Sequence, residues 1–276
     1  MPEEGVAFEA RGLVAGYGGK PILDGLDLVL PKGKFIVLLG PNGSGKSTLL
    51  RTLGRLLPVS AGQISHEDHP IARLPAKALA RRIAVLAQGP IAPEGLRVRD
   101  LVAQGRYPHR SLLGGWNDHD EAACKRALDL TGMVELADRP LDALSGGQRQ
   151  RAWISMTLAQ ETGTLLLDEP TTYLDIAHQI EVLALLRRLV QEEGKSVVVV
   201  LHDINQAARY GDHIILLMSG KVVATGTPSE VLTPETLRAV FGIETLIVPD
   251  PETGAPLCIP KQDQSGAAEH AVSEPT

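Results

Sequence analysis

The stretch Gly40-Pro41-Asn42-Gly43-Ser44-Gly45-Lys46-Ser47-Thr48 has the residue types needed to hold a run of phosphates. Its glycines let the backbone wrap until successive N–H groups converge on phosphate oxygens, and a helix opening at its end turns the positive end of its dipole the same way. At this spacing, G-x-x-x-x-G-K-S, Lys46 reaches the β- and γ-phosphates and the Ser47 hydroxyl is a Mg²⁺ ligand. The implied ligand is a nucleoside triphosphate with its magnesium ion. A second pair of chemical groups, Asp168 and Glu169, follows Leu165-Leu166-Leu167. Asp168 there can hold Mg²⁺ directly or through water, and Glu169 can point at the γ-phosphate and polarise an attacking water. Gln88 and His202 likewise close apolar runs, Ile83 to Ala87 and Ser196 to Leu201.

These groups can meet only if the strands that carry them lie side by side and end at one edge. In α/β folds ligands collect at the carboxyl ends of parallel strands, and four expected strands end in polar groups: the phosphate loop after Phe35–Leu39, Gln88, Asp168-Glu169 and His202. The first third of the chain reads as short glycine-broken strands at Val6–Glu9, Leu13–Ala15 and Leu26–Leu30, the last alternating like a half-buried antiparallel strand. Another begins at Gly62-Gln63-Ile64. Tyr17 lies in the glycine-rich loop Gly16–Gly19, either incidental or a platform for a base. Pro75 to Arg82 and Arg149 to Gln160 read as helices. Gly89 to Leu144 is rich in proline, glycine and amphipathic helix, with Asp118-His119-Asp120-Glu121 opening one helix. Asp175 is the expected N-cap of a helix Ile176–Glu193 that Gly194 ends. Ile214–Met218 and Lys221–Thr225 form an expected hairpin, and Thr227-Pro228-Ser229-Glu230 has the form of a capping box.

With 276 residues, the chain is long enough to bury a substantial core. Its net charge of −6 and 3% aromatic content leave neither a basic stripe nor rings for base stacking, which argues against nucleic acid. The apolar runs are far shorter than a membrane span, and the acidic Met1–Glu4 start has no apolar segment of a secretory signal. Cys124 and Cys258 have no metal-ligand spacing and are expected as free thiols. The tail 261–276 is low in apolar residues and is expected to be disordered.

Leu144-Ser145-Gly146-Gly147-Gln148, ahead of Asp168, resembles the signature motif of ATP-binding-cassette (ABC) ATPases. A hydroxyl and free N–H groups at the start of a helix suit an anion. The resemblance covers about residues 6 to 248, and no motif residue departs from the family pattern. It implies an α/β fold: a RecA-like P-loop NTPase core with an antiparallel β subdomain and an α-helical subdomain, about 89–160, inserted in one nucleotide-binding domain, 1–260. Tyr17 matches the adenine-stacking aromatic, and Gln88 the glutamine that links Mg²⁺ to the coupling surface. Leu174-Asp175 match the D-loop, and His202 the switch histidine that contacts the γ-phosphate. Glu169, His202 and Gln88 are then the expected catalytic residues, and Ser47, Gln88 and Asp168 the expected metal site. In this family Ser145 and Gly147 act on ATP bound to the opposite subunit, so two copies, or two related chains, close face to face, with a homodimer expected.

Gln104-Gly105-Arg106-Tyr107-Pro108-His109 and Gly114-Gly115-Trp116, with Thr171–Gln179 and Leu201–Tyr210, are similar to the ATPase subunits of importers for ferric siderophores, haem and cobalamin. That branch implies two membrane permease subunits, a substrate-binding protein acting indirectly, and a place on the cytoplasmic face of the bacterial inner membrane. It also implies that His109, His119 and His178 bind no iron. The alternative is a soluble cassette ATPase of the iron–sulfur-assembly scaffold type, from which the Arg106–His109 segment discriminates. The imported compound is not written in the ATPase.

Overall fold

The structure, a computed structural model, describes residues 5–110, 115–172 and 174–261. The expected tail lies almost wholly outside them, as does Tyr173.

Runs buried on both faces build the centre. Strands β3 (Phe35–Leu39), β7 (Thr164–Leu167) and β8 (Ser196–Val200) are buried at every position, the pattern of parallel strands covered by helices on both sides. Because side chains alternate across a strand, each run divides between two cores. Phe35, Val37 and Leu39 face one, with Leu165, Leu167, Val197 and Val199. Ile36 and Leu38 face the other, with Leu166, Val198 and Val200. With β6 (Ile83–Leu86), β9 (His213–Met218) and β10 (Lys221–Gly226) they form a six-stranded sheet in the order β10-β9-β3-β8-β7-β6. All its pairings are parallel except that of β9 with β10.

A second, antiparallel sheet of β1 (Val6–Tyr17), β2 (Lys20–Pro31), β4 (Ala61–His66) and β5 (His69–Pro70) covers the second core, in the order β2-β1-β4-β5. Helix α1 (Lys46–Leu53) buries Leu49, Leu50 and Leu53 in that core. Short α2 (Ala76–Ala80) precedes β6. Between β6 and β7 the chain forms α3 (Val98–Gln104), α4 (Asp118–Leu130) and α5 (Gly146–Ala159), which pack on one another. Helices α6 (Ile176–Glu193) and α7 (Ile204–Tyr210) flank β8, and α8 (Pro228–Val231) and α9 (Pro234–Phe241) follow β10. The hairpin β11 (Thr245–Pro249) and β12 (Pro256–Pro260) closes the described chain.

Several expected boundaries move. Val6–Glu9 and Leu13–Ala15 are one strand, β1, because its register shifts between Ala10 and Leu13 absorb the intervening residues, with the Gly12 N–H donating to Asp27 Oδ1 at 2.6 Å. Tyr17 is therefore the last residue of a strand, not part of a loop. The expected helix 75–82 shortens to α2, and the expected helix 149–160 starts earlier, at Gly146, because Ser145 and Gln148 cap it reciprocally. The β11–β12 hairpin was not expected. Asn205 on α7 holds it, donating to Cys258 O at 3.2 Å and accepting from Cys258 N at 2.7 Å. Cys124 and Cys258 are buried free thiols. Helix α6 begins after Asp175 and ends at Gly194 as expected.

His66 joins the two sheets. Its ring is buried edge-on to Phe8, with Nε2 3.0 Å from Thr164 Oγ1 and no partner for Nδ1. Burial, with smaller help from Arg82 and Lys32 and against Glu67, pushes its pKa down from 6.5 to about 4. The unfolded chain takes up this proton first, so His66's contribution is whole above pH 6.5 and is lost as the pH falls toward 4. At pH 5 the wild type should have lost about 2 kcal/mol more, relative to pH 7, than His66→Gln. Urea unfolding of both proteins at the two pH values measures this; equal losses would show that His66 is not the titrating group.

Candidate functional site

The order of the central sheet sets four motifs in a row. Strands β3, β8, β7 and β6 are neighbours, and their carboxyl ends lead to the 40–48 loop, His202, Asp168-Glu169 and Gln88 respectively. Parallel strands stand roughly 4.8 Å apart, so neighbouring tips are within side-chain reach.

The loop leaves β3 at Gly40, whose φ of 146° lies in the left-handed half of conformational space and whose Cβ would fall 2.1 Å from Leu217 O. No other residue fits there. Helix α1 has no side-chain cap and no acidic residue in its first turn, so its leading N–H groups are left for an anion. The Lys46 ammonium is buried and donates to Gly40 O at 2.8 Å and Pro41 O at 2.9 Å. Burial lowers its pKa, opposed by Glu169 and Asp168. Ser44 Oγ is buried without a hydrogen-bond partner.

Ser47 Oγ donates to Asp168 Oδ1 at 2.8 Å, joining the loop to the tip of β7. Asp168 Oδ2 is buried without a hydrogen bond, the Arg51 Nε standing 3.7 Å away. Burial pushes the Asp168 carboxyl above its usual range, and Ser47, Arg51 and Lys46 only partly offset it. The part-buried Ser47 hydroxyl and a carboxylate with one oxygen free of hydrogen bonds are the hard oxygen donors that Mg²⁺ takes. Phosphates would meet the uncapped helix, the ammonium and the Ser44 hydroxyl.

Glu169 is where the other tips meet. His202 Nε2 is 2.8 Å from its Oε1, while Gln88 Nε2 donates to its Oε2 at 2.7 Å. Its φ of 53° is unusual for a residue with a Cβ, and such strain persists only where the surroundings hold it. Thr172 Oγ1 helps, donating to Oε2 at 3.0 Å. Tyr17, 46% exposed at the end of β1, accepts a hydrogen bond from Arg51 at 3.3 Å. Arg51 thus touches both Tyr17 and Asp168. Sequence reasoning missed Arg51 and Thr172. Arg51 follows Ser47 by one helical turn and so shares its face, the one signal that could have found it.

Ser145, Gly146, Gly147 and Gln148 lie in a second cluster. Ser145 Oγ accepts from Gln148 N at 3.3 Å and Gln148 Oε1 accepts from Ser145 N at 3.1 Å. Gly147 is buried against the His178 ring of α6, and Asp175 caps α6 by accepting from His178 N at 2.9 Å. Among the described residues, no hydrogen bond or ion pair joins Ser145–Gln148 to the phosphate loop of the same chain.

The family described as ABC transporter matches residues 23–172. The iron(3+)-hydroxamate import ATP-binding protein FhuC of Bacillus subtilis (strain 168) is 50% identical over 88% of this chain and 91% of its own length. The ferric enterobactin transport ATP-binding protein FepC of Escherichia coli (strain K12) is 47% identical over 94% and 96%. A chain of a metal-chelate-type ABC transporter solved in an inward-facing conformation superposes with a TM-score of 0.80 at 30% identity, covering 93% of this chain and 98% of that one. The phosphate loop and the carboxylates that face it lie inside the matched segment, and the relatives extend the likeness over nearly the whole chain: it belongs to the ABC transporter family, as an ATP-binding subunit that hydrolyses ATP.

Proposed function

We propose that the chain is the ATPase subunit of an importer of ferric siderophores, two identical copies serving two permease subunits at the cytoplasmic face of a bacterial inner membrane. The observation that carries the chemistry is the convergence of His202 and Gln88 on Glu169, beside the Ser47–Asp168 pair. The relatives carry the transport class. FhuC and FepC are named for different ferric compounds at nearly equal identity, 50% and 47%, which supports the class without selecting a compound. Among the described residues no helix is long and apolar enough to cross a membrane.

In this reading the 40–48 loop and Lys46 bind the phosphates, and Tyr17, steadied by Arg51, offers a face to the adenine. Ser47, Asp168 and Gln88 would hold Mg²⁺, which would supply charge neutralisation at the phosphates. Glu169 accepts the proton of the attacking water, and His202 steadies the γ-phosphate end of the site. Ser145 and Gly147 of one copy close on ATP held by the other, and the D-loop with Asp175 lies at that junction.

Two experiments test the proposal. Affinity purification from detergent-solubilised host membranes, read by mass spectrometry, should recover a permease of many helices; recovery of soluble partners alone would sink the importer. Lys46→Ala should weaken ATP binding about 10–100-fold, the worth of one hydrogen bond to a charged group, by calorimetric titration. Unchanged affinity would remove Lys46 from the phosphate site.

A further inference from the structure

We infer that His178 is a positioning residue, one that sets the signature segment Ser145–Gln148 of a chain in register with the Glu169 end of the same chain. A Cβ built on Gly147 would lie 2.8 Å from His178 Cδ2 and 3.0 Å from Cγ, so the imidazole fills the space that a side chain at 147 would need. The ring is itself held: Nδ1 is 2.7 Å from Asp175 Oδ1, the same oxygen that accepts the His178 N–H at the start of α6. One turn farther along, Arg151 of α5 pairs with Glu181 of α6 at 3.1 Å, so the two helices are tied again.

The next residue extends the contact toward the catalytic end. Gln179 Nε2 donates to Leu174 O at 3.0 Å and Thr171 O at 3.4 Å, the loop whose Thr172 holds Glu169. Gln179 Oε1 accepts from Gln206 of α7 at 2.7 Å, and Gln206 N donates to Asp203, the neighbour of His202. The first turn of α6 thus touches the start of α5, the loop after Glu169 and the helix after His202. Close-packed contacts of this kind transmit a displacement rather than absorb it. In a pair of copies, the signature segment that one chain lends to its partner's ATP is thereby set by the state of its own Glu169 and His202. This inference rests on the proposed reading that Ser145 and Gly147 act across the pair.

The test measures ATP-driven pairing by analytical ultracentrifugation in a Glu169→Gln parent, with and without His178→Ala. The parent pairs on adding ATP. The His178→Ala variant should need about 10-fold more ATP to pair, a size typical of coupled contacts, while ATP affinity at concentrations too low for pairing stays within about twofold. His178→Phe, which restores a ring against Gly147 without the link to Asp175, should recover part of the loss. A His178→Ala variant that pairs like the parent overturns the inference alone, and a parent that never pairs overturns it together with the paired reading. Thermal unfolding supplies an independent arm. Gly147→Ala should lower the melting temperature when His178 is present and not when residue 178 is alanine; an equal loss in both backgrounds would show that the imidazole does not set the segment.

Discussion

Replacing Glu169 by glutamine leaves ATP binding intact, lowers turnover by about 10²–10⁴-fold and accumulates an ATP-bound pair of chains. The size follows from what the carboxylate does. Both its oxygens are engaged, Oε1 with His202 and Oε2 with Gln88 and Thr172, and the backbone is held at a φ of 53° to aim it. Glutamine has nearly the same shape and can keep hydrogen bonds to these neighbours, but it cannot take a proton from water. In the proposed reading nucleotide affinity resides in the 40–48 loop and Lys46, which the substitution does not touch. Steady-state turnover with equilibrium ATP binding separates the two effects, and size-exclusion chromatography with ATP reveals the pair. Turnover near that of the wild type would mean that Glu169 is not the base.

The same geometry explains why the site was so readable. Each of its main groups sits at the end of an apolar run that must be a buried strand, so the sequence needed only the assumption that those strands are parallel neighbours. The sheet order β3-β8-β7-β6 supplies that neighbourhood. What stayed hidden was contact made by side chains on elements distant in sequence. Nothing around Thr172 says that its hydroxyl turns back to Glu169, and nothing around His178 says that its ring occupies the space beside Gly147. Periodicity carries α5 only from Arg149, because two glycines lower helix propensity by about 1 kcal/mol each; the Ser145–Gln148 capping box offsets them and opens the helix at the signature motif, as the resemblance implied. The β11–β12 hairpin had too little signal of its own. Leu246 and Ile259, paired across it, are both exposed, and its anchorage is the backbone of Cys258 held by Asn205 of α7.

Asp168→Asn should move stability and function in opposite directions. Burial is the largest influence on this carboxyl and raises its pKa above the unfolded value. A group with a raised folded pKa costs stability once the pH has passed that pKa, so at neutral pH the charge on Asp168 works against the nucleotide-free fold. Asparagine keeps an oxygen for the Ser47 hydroxyl and removes the buried charge. It also forgoes the attraction of Arg51 and Lys46, which is smaller than the effect of burial. Without nucleotide or magnesium the variant should therefore melt above the wild type. With Mg²⁺ and ATP in excess the order should reverse. A ligand at 100 times its dissociation constant stabilises the wild type by about 2.7 kcal/mol, whereas the variant, short of a metal-binding oxygen, gains far less and loses turnover by on the order of 10²-fold or more. Differential scanning calorimetry under both conditions gives the four melting temperatures. A variant that melts below the wild type without ligand would mean that Arg51 and Lys46 already satisfy Asp168, so that the carboxylate serves the fold before it serves the metal.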